Sequence, residues 1–230
     1  MKNKFILLAV FILAIFTAGC TVDNYDPPSS FLTGRVVYNN VPVGVRSNAT
    51  QLELWQYNWD TKGVIARAKI AVYIAQDGSY SARLFDGNYK LVRLAGAPWV
   101  TQTDSIDVTV SGNTAVDVPV TPYFTISGET FTYNKADSSL TSTCNITKVG
   151  TAAITNVTLY AGVTSIVDNT NSSQNNALTT GLTDLSTAKT NKITLTSVNK
   201  KKDFIYARLA VLCAGSSERV FTQVQKIALQ

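Results

Sequence analysis

The 230-residue chain has no histidine. That single absence removes Ser-His-Asp and Cys-His nucleophilic catalysis and most zinc sites. Three cysteines are too few for a thiolate zinc site once one of them is committed to the N-terminus, as argued below. No glycine-rich loop links a strand to a helix in the way a phosphate cradle requires. Helical 3.6-residue periodicity is missing over any useful length, the best stretch being a turn at residues 184–188. Charge is sparse at 15% of residues, with a formal net of +5 that includes Lys2 and Lys4 at the extreme N-terminus. Only Lys200, Lys201 and Lys202 form a basic run, which reads as a solvated turn, so nucleic acid is not an expected partner. Carboxylates could support glycoside hydrolysis without histidine, but Asp104 and Asp107 fall on opposite faces of one strand, and Asp77 and Asp86 belong to turns. No catalytic pair emerges, and neither a cofactor nor a metal is expected; the chain reads as a non-enzyme.

What is present begins with a leader. Residues 1–19, MKNKFILLAVFILAIFTAG, carry two lysines, an apolar run from Phe5 to Phe16, and the small residues Ala18 and Gly19 before Cys20. The run is short of the ~20 residues that cross a bilayer as a helix, so the segment reads as a cleaved signal peptide. Cys20 directly after Ala-Gly resembles a bacterial lipobox, in which the thiol is acylated and becomes the first residue of the mature chain. Residues 20–30, CTVDNYDPPSS, are too polar to bury and read as a lipidated tether. The expected location is therefore the outer membrane, attached through the N-terminal lipid. Asp23 and Asp26 resemble acidic surface-export signals, which favours the cell-surface side over the periplasmic face.

From Phe31 onward, short Val/Ile/Thr/Tyr/Phe-rich segments are punctuated by Gly, Asn, Asp or Pro about every ten residues, the pattern of an all-β protein. Pro119 and Pro122 in VPVTPYFTI interrupt strand pairing and place a domain boundary near residue 121. Residues 31–120 form one expected β-sandwich and residues 121–230 a second. Within the latter, DNTNSSQNNALTTG has little to bury and is expected to be a mobile surface loop.

In the first set, TGRVVYNNVPVGV leads to QDGSYSARLFDGNYKLVR, where Asp77-Gly78 and Asp86-Gly87 bracket a strand as hairpin signals. This grammar resembles the transthyretin-like, carboxypeptidase-regulatory-like β-sandwich. The hydrolases with that fold rely on histidines, so their activity is not implied here. The second set resembles an Ig or fibronectin type sandwich. Taken together, the lipobox, the DNYDPPSS tether, TGRVVY, QLELWQ, QDGSYSARLFDGNYKLVRL, PWV, VDVPVTPYF and YARLAV resemble a family of two-domain Bacteroidetes lipoproteins. That family is classed as a domain of unknown function and encoded in Sus-like polysaccharide-utilisation loci. The resemblance implies location and context and carries no established binding residues.

The stretch QLELWQYNW, residues 51–59, is the main candidate for a binding surface. In an extended chain Trp55, Tyr57 and Trp59 stand on one face at about 7 Å intervals, while Leu52 and Leu54 turn to the core. Pyranose rings present flat C–H faces that stack on aromatic rings, so such a row can hold a glycan weakly without a deep pocket. Trp59 with Tyr57 leads the ligand-contact candidates. Trp55, nearer the strand centre, is weighed more as a packing seal, and Trp99 in GAPWV as a buried plug or an exposed anchor. Asp104-Ser105-Ile106 resembles the short O-glycosylation pattern of exported Bacteroidetes proteins, which makes Ser105 a modification candidate. Cys144 and Cys213 share strand parity with core residues. In an oxidising compartment they form either a disulfide or two buried thiols. The leading functional reading is a lipid-anchored cell-surface protein that assists glycan capture in a Sus-like system. The alternative is an adaptor lipoprotein that docks on a transporter complex without binding sugar.

Overall fold

The computed structural model describes residues 26–56 and 69–230. The strands of the first half are β1 (Ser30–Tyr38), β2 (Val41–Pro42), β3 (Gln51–Gln56), β4 (Lys69–Tyr73), β5 (Ser79–Leu84), β6 (Gly87–Arg93), β7 (Ser105–Val110), β8 (Asn113–Ala115) and β9 (Val118–Pro119). One sheet is built on β1, which pairs antiparallel with β2 and β5 and parallel with β8 and β9. The other runs β4-β3-β6-β7, antiparallel throughout. Alternation within each strand decides which side faces in: Leu32 and Val36 of β1, Leu52 and Leu54 of β3, and Leu91 of β6 are all fully buried in one core. Asn39 and Asn40, both at positive φ, make the tight turn between β1 and β2, as a two-residue hairpin requires.

The second half contributes β10 (Phe124–Asn134), β11 (Ser139–Lys148), β12 (Ile154–Gly162), β13 (Gln174–Leu178), β14 (Lys189–Thr194), β15 (Phe204–Cys213), β16 (Val220–Phe221) and β17 (Gln225–Ala228). They form a β10-β11-β14 sheet and a β13-β12-β15 sheet that β16 and β17 extend along β15. The two enclose a core that includes Leu140, Ile146, Leu159, Ile205 and Leu209. The protein is therefore all-β, two β-sandwiches in tandem.

One expectation fails here and one pair of open alternatives is settled. Residues 174–178, expected within a mobile loop, form the edge strand β13 and pair with β12 over five residues. Polar side chains replace the missing apolar ones. Asn176 donates to the Asn191 side chain at 2.8 Å, and Asp168, fully buried, accepts from the backbones of Thr170 and Asn171. The second concerns the cysteines, whose alternatives resolve as free thiols: Cys144 on β11 and Cys213 on β15 lie on opposite sheets of one core and are not bridged. Burial pushes the Cys144 thiol up to about 11, with Glu129 acting in the same direction, so it stays protonated and unreactive at neutral pH.

The joint between the sandwiches is stitched rather than loose. Val100 N–H donates to the Thr121 carbonyl at 2.8 Å and Tyr123 N–H to Pro98 at 3.3 Å, while Trp99 bridges to Pro122. Beyond the linker, Arg208 of β15 reaches out of the second sandwich and is fully buried against the first. Its guanidinium donates to the carbonyls of Val45 at 3.3 Å, Gln76 at 3.1 Å, Val167 at 3.4 Å and Thr222 at 3.0 Å, and to the Gln76 side chain at 3.3 Å. It also lies 4.3 Å from the centre of the Phe221 ring. Burial lowers its pKa to about 10, opposed by the Asp168 and Asp77 carboxylates, so it remains a cation at neutral pH. Gly44 bridges to Phe221 beside it, and a Cβ there would lie 2.4 Å from the Phe221 carbonyl oxygen. An Arg46–Glu218 ion pair closes the rim at 2.5 Å.

The chain enters the first sandwich at the end remote from this joint. Ser30 opens β1 opposite Leu84, the last residue of β5, whereas Gln76 lies just before the first, so about 20 Å of strand separates them. The Ser30 hydroxyl and Gly112 N–H both donate to the Asp86 carboxylate, which fixes the entry point.

Two outcomes follow from this packing. Replacing Arg208 with Met strands several buried carbonyls without a donor. It is expected to cost at least about 3 kcal/mol and to split one calorimetric unfolding transition into two, read by differential scanning calorimetry. At Gly34 an added Cβ would lie 1.8 Å from the Val116 carbonyl oxygen, which also accepts from the Tyr80 hydroxyl. Gly34→Ala is thus expected to lower stability by about 1–3 kcal/mol in urea denaturation.

Candidate functional site

Strand β3 alternates between an inner and an outer face, and Glu53 on the outer face is buried as well. Leu52 and Leu54 are fully buried on the inner face, and Trp55, on the other face, is half-buried. Trp55 stands opposite Lys69 of β4 on one side and Lys90 of β6 on the other, and Lys90 stands opposite Asp107 of β7. Cross-strand partners point to the same face, so a row of Lys69, Trp55, Lys90 and Asp107 crosses the sheet from edge to edge.

The row is ordered by ion pairs. Lys69 Nζ lies 2.7 Å from Glu53 Oε1, and Lys90 Nζ lies 2.8 Å from Asp107 Oδ1. One step further along the strands, the Thr109 hydroxyl donates to Asn88 Oδ1 at 2.8 Å. At the opposite end Tyr73 of β4, paired with Gln51, is 49% exposed on the same face. Trp55 and Tyr73 are four residues apart in register, roughly 14 Å across the sheet. Between the two aromatic rings the middle row is Ala71, Glu53 and Val92, with Glu53 buried and tied to Lys69, while Asn88 and Thr109 lie beyond Trp55. Among the described residues, contacts from the second sandwich reach the loops at residues 43–46, 76–77 and 96–100.

Tyr73 escaped notice in the sequence, although its signal is plain afterwards: in KIAVY, Ile70 and Val72 turn inward and Lys69, Ala71 and Tyr73 outward. Tyr57, Trp59 and Cys20 lie outside the described residues. Trp99 is a correction. At 1% exposure it is packed into the first core beside the linker, so it is a plug and not a ligand anchor. Ser105 opens β7 half-buried, facing Val92. Its neighbour Asp104 accepts from Arg93 at 2.6 Å, while Asp107 serves Lys90, so the two carboxylates are held apart on opposite faces.

Two other surfaces are chemically distinct. An open depression of about 490 Å³ on the β1 sheet is lined by Thr33, Gly34, Arg35, Ser79, Tyr80 and Asp117. On the second sandwich, Phe204 and Tyr206 of β15 meet edge to face at 5.6 Å, with Lys226 Nζ 3.7 Å over the Phe204 ring. The exposed Lys200, Lys201 and Lys202 lie next to them in the chain. Among the described residues no group of three or more His, Cys, Asp or Glu side chains could hold a metal.

Family models match both halves of the chain. Residues 30–121 match "Protein of unknown function (DUF3823) N-terminal domain" and residues 124–226 match "Domain of unknown function (DUF3823_C)". The chain belongs to this two-domain family. It is similar to a DUF3823 family protein from Bacteroides ovatus, at 38% identity and a TM-score of 0.79 over 87% of this chain and 100% of that one. A second, from Parabacteroides merdae, is 29% identical with a TM-score of 0.78 over 88% and 100%. A third structure, from Bacteroides uniformis, is provisionally described as a carbohydrate binding protein. It shares the fold at 17% identity and a TM-score of 0.70, over 88% and 100%. No curated protein matches.

The burial contrast is testable on stability alone. Trp99→Ala should cost about 3–5 kcal/mol, whereas Tyr73→Ser should change stability by no more than about 0.5 kcal/mol, both read from urea denaturation midpoints.

Proposed function

We propose that this protein is a non-enzymatic, lipid-anchored cell-surface component that assists glycan capture in a Sus-like polysaccharide-utilisation system. The observation that carries the reading is the outer face of the β4-β3-β6-β7 sheet, where a half-buried Trp55 stands between the ion-paired Lys69 and Lys90 and Tyr73 is exposed further along the same face. Aromatic rings of this kind stack on the C–H faces of sugars, while the fixed amide, hydroxyl and ammonium groups orient ring hydroxyls. Two stacked rings support weak affinity after ordering costs, which suits a surface displaying many copies. The description of the Bacteroides uniformis neighbour as a carbohydrate binding protein agrees with this use of the fold at the level of fold alone. The carboxylates of this face are each spent on a lysine, which favours binding over hydrolysis.

The lipid anchor rests on the Ala18-Gly19-Cys20 sequence. With the tether entering at the Ser30 end, the first sandwich lies nearest the membrane and the second projects from it. A second reading, an adaptor that docks on a transporter complex without touching sugar, draws on the Phe204, Tyr206 and Lys226 cluster of the projecting sandwich.

The two readings part in affinity electrophoresis through polysaccharide gels. Glycan capture requires retention that Trp55→Ala removes while the melting temperature stays within a few degrees of the parent. Absence of retention in every gel would leave the adaptor reading. Separately, Cys20→Ser should move the protein from the membrane fraction to the soluble fraction, and an intact mass showing an unacylated Cys20 would refute the anchor.

A further inference from the structure

We infer that the entry end of the first sandwich rests on the bilayer surface, with Phe31 and Phe85 as the rings that meet the lipid; this rests on the lipid anchor at Cys20 proposed above. Among the described residues these are the two exposed phenylalanines, each at 40%, and they stand together. Ser30 pairs with Leu84 across β1 and β5, and Phe31 and Phe85 are the residues that follow them in the chain. In register, Phe31 lies between Arg83 of β5 and Asn113 of β8. Both neighbours are exposed, and the Arg83 guanidinium is 6.0 Å from the centre of the Phe31 ring. Exposed rings beside a long cationic side chain suit the headgroup boundary of a bilayer, where rings enter the acyl region and a guanidinium stays at the depth of the phosphates. Arg83 shares this end with Asp86 and with Asp26 of the tether, so the contact is carried by the rings rather than by a field of one sign.

What covers these rings is decided by where the tether ends. Ten residue steps separate Cys20 from Ser30, a reach of at most about 35 Å at full stretch. An acylated Cys20 therefore keeps Phe31 within that distance of lipid however the domain turns. Such confinement makes the second contact intramolecular, so two rings that would not hold a membrane from solution are enough once the anchor is in place. The lipid supplies attachment and the rings supply orientation. With this end down, β1 leads from Ser30 to Tyr38, roughly 27 Å of strand, and carries the joint and the second sandwich outward. Val41 and Val198 are exposed as well but stand elsewhere, Val41 opposite Tyr38 at the far end of β1 and Val198 on the second sandwich.

The test places a thiol-reactive fluorophore on Asn113→Cys, Val41→Cys or Val198→Cys of the full, lipidated chain in phosphatidylcholine vesicles whose lipid carries a nitroxide quencher. Cys144 and Cys213 are buried and stay unlabelled, and an acylated Cys20 offers no thiol. Flotation with the vesicles reports the anchor, and quenching reports the contact. The inference expects quenching at position 113 at least about fivefold stronger than at 41 or 198, falling to the level of position 41 in Phe31→Ser/Phe85→Ser with flotation unchanged. Phe31→Ser alone serves as a second variant and should give part of that fall. Flotation without stronger quenching at position 113 would overturn the inference and leave the anchor standing. Strong quenching at 113 that persists in the double variant would do the same, because the tether alone would then hold this end down. A chain that fails to float would overturn the anchor, and the inference with it.

Discussion

One buried guanidinium joins the two halves of this protein. Arg208 leaves the outer face of β15, loses its water, and recovers hydrogen bonds from carbonyls on both sandwiches, Val45 and Gln76 on one side and Val167 and Thr222 on the other. Removing a cation from water is costly, and only a geometry that satisfies nearly all of its protons offsets that cost. Arginine suits the position because its donors form a rigid planar fork and its flat face stacks on Phe221. A lysine would present a point charge with no fork. The same crowding dictates Gly44, whose missing side chain lets the first sandwich approach β16.

The joint fixes what each sheet face is free to do. The outer face of the β13-β12-β15 sheet is occupied where Arg208 and Phe221 meet the first sandwich, and partly open further along at Phe204 and Tyr206. Among the described residues the first sandwich gives its end loops to the joint, and Lys69, Tyr73, Asn88, Asp107 and Thr109 of the β4-β3-β6-β7 face are exposed. A strip built on four paired strands holds its side chains more firmly than a loop does, because backbone hydrogen bonds and ion pairs both fix the spacing. Trp55 and Tyr73 are therefore held at a set separation. The linker bonds at Pro98, Thr121 and Tyr123 add to this by removing the hinge that two tandem domains would otherwise have.

The alternation of β3 was legible because a strand's period of two assigns faces without any knowledge of neighbours: Leu52 and Leu54 had to turn one way and Trp55 the other. Tyr73 was equally available by that rule and was passed over, since KIAVY reads first as a core strand. Trp99 was beyond the rule. It lies in a loop without periodicity, and its burial follows from the docking of residues 98–100 on the linker, a contact between segments that only folding brings together. Residues 174–178 misled for a different reason: their composition forbids a hydrophobic edge, yet Asn176, Asn191 and the backbone of β12 supply polar pairing that composition cannot announce.

From the amino-acid order alone came the all-β class, the break between Pro119 and Pro122, and the exclusion of histidine chemistry. These depend on local preference and on which atoms are present. Tertiary structure decided what depends on distant segments meeting. It left Cys144 and Cys213 as separate thiols on facing sheets, turned Arg208 from one more strand residue into the clamp, and matched each lysine beside Trp55 with a carboxylate. No reading along the chain determines such pairings, because the register between β3, β4, β6 and β7 is set by the core they jointly bury, and the charges on the far side follow that register.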